Sequence, residues 1–223
     1  TLLQAEEEKK EAIELREAMN IGGSKLYATY AIMGINALVF ILMVMNGAGL
    51  VDPNGLVHIQ WGSNFAPLTL TGDWWRLITN LFIHFGIIHL LANMYALYFI
   101  AVYLEPMLGK QKYVAAYLCT GVIGSLVSLW WHTTPVNSAG ASCAIFGLYG
   151  LFFAFLTTDI IPVKVRQTLL KSIGIFILYN LVYGFKSGVD MSAHVGGIIS
   201  GFLIGYLYIY DIRQQKHGKK LNW

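Results

Sequence analysis

Long apolar runs separated by short polar breaks dominate the pattern of this chain. A hydrocarbon core about 30 Å thick takes about 20 apolar residues per helix. We predict membrane spans at about 26–50, 75–103, 113–131, 142–156, 169–185 and 191–210. The pattern therefore predicts an all-α polytopic membrane protein, built as a bundle of six transmembrane helices.

Two segments depart from this regular pattern. Residues 51–74 are too polar to span a membrane and too aromatic for a simple linker, so we predict an interfacial loop after helix 1. The fourth span is a short central helix of roughly 15 residues, too short to cross a bilayer. Its start at Ser142 should lie below the surface, at the end of an irregular loop that is enclosed by protein or lines a water-filled cavity.

Composition and charge agree with the membrane class and exclude others. Hydrophobic residues make up 56% of the chain and charged residues 12%, with a mean hydropathy of +0.57. The net charge of +3 is small and its basic residues are scattered, so the expected surroundings are a lipid bilayer and nucleic acid is not an expected partner. Cys119 and Cys143 lie in apolar runs and indicate no disulfide framework.

Lysine and arginine predict the orientation. With a cytoplasmic amino terminus, 13 of the 15 basic residues fall on inner segments, and only Arg76 and Lys186 fall outside. Both termini are then cytoplasmic and the loop leading to Ser142 is on the outer side. We expect a cytoplasmic amino-terminal segment at 1–25, charged and helix-favouring over 4–17, a membrane domain at 26–211 and a basic cytoplasmic tail at 212–223.

Polar side chains inside the predicted spans are functional candidates, because they are costly in a bilayer. His89 and Asn93 are four residues apart and share a helical face, whereas His84 precedes His89 by five and should point elsewhere. In the sixth span, His194 is followed by Gly197 and Gly201, a spacing of small residues that lets another helix approach closely.

That helix is predicted to be the fourth, since the start of this span is also built from small residues. A serine hydroxyl is a weak nucleophile until a base takes its proton, and His194 is the histidine that such packing places beside Ser142. The resulting oxyanion needs donors, and the candidates are the backbone N–H groups of Ala141 and Ser142 with the side chains of His89 and Asn93.

A metal site, a structural role and a transport function are the alternatives for these residues. His84 and His89 lack the spacing and the intervening acid of a helical zinc site, so neither a metal nor another cofactor is expected. Hydrogen-bonded histidines with a purely structural role remain an alternative. Asp190, four residues before His194, favours a loop or helix-start role. A transporter or channel predicts deep charges or paired half-helices, which the sequence does not contain.

In this order and with this span count, the motifs resemble those of the rhomboid intramembrane serine proteases, in the compact six-helix bacterial form. The motifs are Trp75-Arg76, His84-x4-His89-x3-Asn93, Gly140-Ala141-Ser142 and Ala193-His194-x2-Gly197-x3-Gly201. The similarity extends over about residues 26–211.

The resemblance implies roles for these residues. Ser142 would be the nucleophile and His194 the general base of a dyad without an acid, and His89 and Asn93 would stabilise the oxyanion. Phe146 would pack on the catalytic histidine. By the same resemblance, His84 is structural, and Trp75-Arg76 belongs to a loop insertion that lies partly in the outer leaflet.

The resemblance also implies the reaction, which is cleavage of transmembrane segments of other membrane proteins near the outer face of a bacterial inner membrane. Access past the fifth span and residues 186–190 is the family's usual proposal. Cys143 departs from the family pattern, which has glycine after the nucleophile. The alternative is therefore a catalytically silent relative that binds transmembrane clients. Adjacent helical residues point about 100° apart, so Ser142 and Cys143 cannot both face His194, and Ser142 remains the expected nucleophile.

Overall fold

The computed structural model describes residues 25–161, 163–184 and 189–220. In chain order its elements are α1 Tyr27–Met45, α2 Gly55–Trp61, β1 Asn64–Phe65, α3 Ala66–Thr69, α4 Arg76–Thr79, a 3-10 turn Asn80–Phe82, α5 Ile87–Trp131, β2 Asn137–Ser138, α6 Ser142–Leu156, α7 Val163–Gly184 and α8 Met191–Lys220. Gly109 has a φ of 73° and divides α5 into α5a, 87–108, and α5b, 110–131. The bundle therefore contains the six expected helices, and the protein is an all-α polytopic membrane protein.

Three helices of the described part are long and apolar enough to cross a bilayer by length and composition. They are α1, α5 and the first 24 residues of α8. α6 has 15 residues, as predicted, and an α-helix of that length is only about 22 Å long. Its end at Ser142 therefore lies inside the span of its longer neighbours.

The core is the contact between α6 and α8, with α5 packed against both. Glycines of α8 touch the backbone of α6 so closely that no side chain fits between them. A Cβ atom on Gly197 would lie 2.2 Å from the carbonyl oxygen of Cys143, and one on Gly201 would lie 1.8 Å from that of Gly147. We call these contacts the glycine interface. Small residues on a membrane helix favour this kind of approach.

The segment between α1 and α5 is irregular and is joined to the bundle by hydrogen bonds. β1 pairs with β2 antiparallel, with Asn64 opposite Ser138, so the interfacial loop is joined to the segment that leads to Ser142. Arg76 is buried, bonds to Asp73 and donates to the carbonyl groups of Ile59 and Ser63. These bonds give hydrogen-bond partners to backbone carbonyl groups at and just beyond the end of α2.

The start of the second span is corrected by the structure. We predicted a continuous helix from near Trp75, but α4 is followed by a 3-10 turn and a break, and α5a begins only at Ile87. Gly86 has a φ of 87°, in the left-handed region, and Ile87 N–H bonds to the carbonyl of Leu50 outside the helix. His84 therefore lies in the break, and the helical angle that turned it away from His89 does not apply.

The other boundaries differ less. α1 ends at Met45 because Gly47 and Gly49 have positive φ, whereas we predicted helix to Leu50. α7 begins before the predicted 169, and α8 continues past the predicted 210 into the predicted tail. The predicted cytoplasmic segment 1–25 lies outside the described residues except for Lys25.

A buried carboxylate provides hydrogen-bond acceptors at the start of α1. Glu105 accepts hydrogen bonds from the backbone N–H groups of Ala28 and Thr29 and from the Thr29 hydroxyl, at 2.6–2.9 Å. The first N–H groups of a helix lack partners within it, and an anion is favoured there. This contact joins α1 to α5a.

Candidate active site

Ser142 and His194 meet where α6 begins, near the start of α8. The Ser142 Oγ atom lies 2.7 Å from His194 Nε2, a hydrogen-bond distance. His194 is 6% exposed, and Ser142 is half-buried. The hydroxyl can therefore donate to Nε2, which is the contact a general base needs.

The glycine interface sets this distance. Gly197 lies one turn after His194 and is pressed against the Cys143 carbonyl, one residue after the nucleophile. Gly124 of α5b also leaves room, because a Cβ there would lie 2.6 Å from the Ala193 carbonyl and 3.0 Å from Cys143 Cβ. The backbones beside both catalytic candidates are thus in direct contact.

Cys143 occupies the position where the family pattern has glycine, and its side chain is accommodated. It is 4% exposed and its Sγ atom lies 3.7 Å from the Gly140 carbonyl. Gly124 and Gly197 provide the space on the facing helices. The cysteine does not displace Ser142 from its 2.7 Å contact.

The other side of the His194 ring is apolar. The Phe146 ring centroid lies 4.3 Å from that of His194 at an interplanar angle of 30°. Among the described residues, His194 Nδ1 has no hydrogen-bond partner although it is buried. If Nε2 accepts the serine proton, Nδ1 carries the ring proton, so the pair has no third, orienting acid in this geometry.

Asp190 is bonded at the start of α8 and to α5b. Its Oδ1 accepts from Ala193 N–H at 3.2 Å and from Ser192 Oγ at 2.6 Å, and its other oxygen accepts from Ser128. His132 Nε2 lies 3.2 Å from Oδ1. The predicted helix-start role is confirmed by the bond to Ala193 N–H. We call these five residues the Asp190 cluster.

The Asp190 carboxylate is stabilised in its charged form. Burial opposes ionisation, but hydrogen bonds from Ser128, Ser192, Ser138 and Ala193 N–H outweigh it and lower the pKa of Asp190 below its usual value. A fixed negative charge therefore lies beside the first turn of α8, where the helix dipole favours an anion.

His89 approaches the nucleophile from α5a. A Cβ atom on Gly140 would lie 2.9–3.0 Å from His89 Cε1 and Nε2 and 3.5 Å from Ser142 Oγ, so only glycine leaves room for this ring. Gly140 has a φ of 136°, which also favours glycine. His89 Nδ1 accepts the Phe85 N–H at 3.2 Å, so the ring proton is on Nε2, the atom that faces Gly140.

Two other predicted oxyanion donors are already partly engaged. The Asn93 side-chain amide donates to the His89 carbonyl at 2.9 Å, which leaves one of its two N–H bonds. The Ala141 N–H points to His84 Nε2 at 3.5 Å. Burial and, second, neighbouring His89 lower the pKa of His84 to about 3, so its ring is a neutral acceptor there.

A cavity of about 520 Å³ reaches the nucleophile. Its walls include Ser142, His194, His89, Asp190 and the segment 137–140. Such a mixed, concave site suits a substrate with both apolar and polar parts.

Trp75 and Arg76 make their contacts within the segment between α1 and α5. The Arg76 guanidinium stacks on the Trp75 ring at 4.6 Å, and the Trp75 side chain is largely exposed. The predicted position of this segment in the outer leaflet stays a prediction.

Sequence reasoning missed two buried residues that support the site. Asn80 accepts the Gly140 N–H through its carbonyl at 2.9 Å and a Ser125 hydrogen bond through its side chain. His58, in α2, bonds to the His84 carbonyl. Asn80 was visible as a polar residue in an apolar run, but His58 lies in a polar loop where a histidine carries no signal.

No group of three or more His, Cys, Asp or Glu side chains converges on a metal-binding arrangement within the described ranges.

The sequence is similar to those of known proteins. The family model of the rhomboid domain matches residues 71–211. The chain is 34% identical over 206 residues to rhomboid protease GluP of Bacillus subtilis, which covers 90% of this chain and 38% of the relative. It is 38% identical over 139 residues to RHOMBOID-like protein 5 of Arabidopsis thaliana, covering 62% and 45%.

A third relative is covered over most of its length. The chain is 30% identical over 227 aligned positions to rhomboid protease AarA of Providencia stuartii, with 92% of this chain and 80% of the relative covered. The chain spans less than half the length of the first two relatives.

Proposed function

The chain belongs to the rhomboid family of integral membrane proteins, and on this premise we propose that it is an intramembrane serine endopeptidase with a Ser142–His194 dyad. Its substrates are transmembrane segments of other membrane proteins, cleaved near the outer membrane face. The observation that carries the proposal is the 2.7 Å contact between Ser142 Oγ and His194 Nε2 in a cavity.

In the first step, Ser142 Oγ attacks the scissile carbonyl carbon while His194 Nε2 takes the hydroxyl proton. The carbonyl oxygen becomes an oxyanion. The donors proposed for it are His89 Nε2–H, the Ser142 backbone N–H and the free amide hydrogen of Asn93. The predicted contribution of Ala141 N–H requires that its contact with His84 be replaced when substrate binds.

Collapse of the tetrahedral intermediate breaks the peptide bond, and protonated His194 gives its proton to the leaving amine. Water, with His194 again as base, then hydrolyses the ester on Ser142. The position of Ser142 at the start of a helix only about 22 Å long, in the wall of the cavity, supports cleavage below the membrane surface.

A helical peptide bond is hydrogen-bonded and shielded, so the substrate must unwind before attack. Access between α7 and its neighbours is the proposed route, because α7 packs less extensively on α6 and α8 than those helices pack on each other. The adjoining predicted gate at 186–190 lies mostly outside the described residues. We propose both termini in the cytoplasm, a bacterial inner membrane, and the domain limits 26–211 for the catalytic unit.

The test is cleavage of a model transmembrane substrate in liposomes by a matched pair of variants. Ser142→Ala is expected to abolish cleavage and labelling by a serine-directed fluorophosphonate, and His194→Ala is expected to reduce both by at least about 10³-fold. Cys143→Ala, which alters the adjacent residue, should keep both activities.

Two outcomes contradict the proposal. Cleavage by Ser142→Ala together with loss in Cys143→Ala would move the nucleophile to the cysteine. Absence of Ser142-dependent labelling in folded wild-type protein would favour the catalytically silent alternative, in which the bundle binds transmembrane clients.

A further inference from the structure

His58 is a buried histidine whose two ring nitrogens both face carbonyl oxygens. Its side chain is 0% exposed. Nδ1 lies 2.6 Å from the Asn54 carbonyl at the start of α2, and Nε2 lies 3.1 Å from the carbonyl of His84. Carbonyl oxygens only accept hydrogen bonds, so each contact needs an N–H of the ring, and the ring donates to both carbonyls when each of its nitrogens carries a proton. The Nε2 bond connects the interfacial loop to the break before α5a, 26 residues further along the chain.

The His84 carbonyl belongs to the same peptide unit as the Phe85 N–H. That unit is planar, and its C=O and N–H point in opposite directions, so a partner that fixes one end fixes the direction of the other. The Phe85 N–H donates to His89 Nδ1 at 3.2 Å. One peptide plane therefore joins the His58 ring to the His89 ring.

Ring packing supports the same connection. The Phe85 ring lies between the two histidines, with its centroid 4.6 Å from that of His58 and 6.2 Å from that of His89. The Phe85 and His89 rings are nearly parallel, at 5°. Movement of the His58 ring thus changes both a hydrogen bond and a stacked contact next to His89.

We propose that His58 is a positioning residue for the oxyanion site. By holding the 84–85 peptide plane, it directs the Phe85 N–H at His89 Nδ1. This keeps the His89 proton on Nε2, the atom that faces Gly140 and Ser142. The inference rests on the proposed protease function, in which His89 donates to the oxyanion.

Loss of His58 does not free the peptide plane completely, and this sets the expected size of the effect. The Gly86 N–H also donates to the His84 carbonyl at 3.1 Å. We therefore expect His58→Leu, which has no donor, to lower kcat by about tenfold, less than the 10²–10³-fold typical of losing an oxyanion donor. KM should stay within about twofold, since ground-state binding is unchanged. His58→Gln, which keeps a donor, should recover part of the loss.

The decisive arm repeats His58→Leu in a His89→Ala background. Residues that act through one another are not additive, so the second loss should be less than about twofold there. Thr79→Val is the matched control, because Thr79 Oγ1 bonds the loop carbonyl of Gly62 at 2.7 Å without contacting the 84–85 plane. It should leave kcat unchanged in both backgrounds. An equal loss from His58→Leu in both backgrounds would overturn the inference.

A measurement that does not depend on activity separates this inference from the proposed function. In protein with ¹⁵N-labelled histidine, the ring signals of His89, assigned by their loss in His89→Ala, should show the Nε2–H tautomer. His58→Leu should shift them toward a mixture of tautomers, and Thr79→Val should not. Unchanged His89 signals in folded His58→Leu overturn the inference. Absent cleavage and labelling in the wild type, with the tautomer shift observed, overturns the proposed function alone.

Discussion

The two halves of the site are held by different physics. The dyad lies on the glycine interface, where the α6 and α8 backbones touch and the distance between the helices is fixed by close packing. His89 is held instead by a hydrogen bond from Phe85 in the segment between α1 and α5, and the first turn of α8 is held by the Asp190 cluster. Packing tolerates almost no added volume, whereas a hydrogen bond can be weakened without separating helices.

This difference predicts how substitutions behave. Changes in the glycine interface should damage fold and activity together. Changes in the hydrogen-bonded half should alter rate or pH response in a protein that remains folded, as expected for His58.

The largest effect is expected from Gly201→Ala. The added Cβ would lie 1.8 Å from the Gly147 carbonyl, so α8 must move away from α6. Overpacking costs about 1–3 kcal/mol or more, and the shift separates His194 from Ser142. Thermal unfolding in detergent should shift to lower temperature, and cleavage should fall by at least about 10²-fold.

The matched control is Gly174→Ala in α7, where a Cβ would meet nothing within 4 Å. It should preserve activity and keep or raise the unfolding temperature, because alanine favours helix. Equal unfolding temperatures for the two variants would contradict the packing account of the dyad.

An intermediate effect is expected from Asp190→Asn. The folded-state pKa of Asp190 is lowered, so its charged form contributes stability above the unfolded pKa of about 3.9. That contribution is lost as pH falls through the lower folded-state value. The variant should be less stable than wild type at pH 7 by roughly 1–2 kcal/mol, and the difference should shrink below about pH 4.

Unfolding temperatures measured between pH 3 and pH 7 check this sign. Asp211→Asn serves as the control, because Asp211 forms an exposed ion pair with Lys112, and such pairs contribute little. Curves for Asp190→Asn and wild type that stay parallel across the range would show that the charge of Asp190 does not stabilise the start of α8.

The smallest effect on activity is expected from Cys143→Gly. The Cys143 side chain is accommodated beside an intact contact between Ser142 and His194, so restoring the family's glycine should change kcat by less than about threefold. Stability should fall by roughly 1–2 kcal/mol, because a buried side chain is removed and a helical glycine is introduced. A rise in kcat of more than about tenfold would instead mean that Cys143 strains the dyad.

Much of the fold was predictable from local pattern. The bounds of α6 matched because Gly140 and an apolar run mark its ends, and the small-residue spacing of α8 anticipated the glycine interface. The second span was wrong at its start. Between α4 and α5a only Asn80, His84 and Gly86 interrupt the apolar residues, and the break depends on Gly86 and on a bond to the Leu50 carbonyl, far away in the sequence.

The sequence by itself determined the membrane class, the six helices and the candidates Ser142 and His194, because hydropathy and residue spacing along one helix are local properties. Only the tertiary structure decided that His84 faces Ala141 and that the His89 proton lies on Nε2. It also decided that His58 is connected to His84 and His89 through the peptide unit between residues 84 and 85. Those facts depend on backbone carbonyl and N–H groups in irregular segments. The direction of a backbone C=O or N–H group cannot be read from the type of residue, because partners distant in the chain set it.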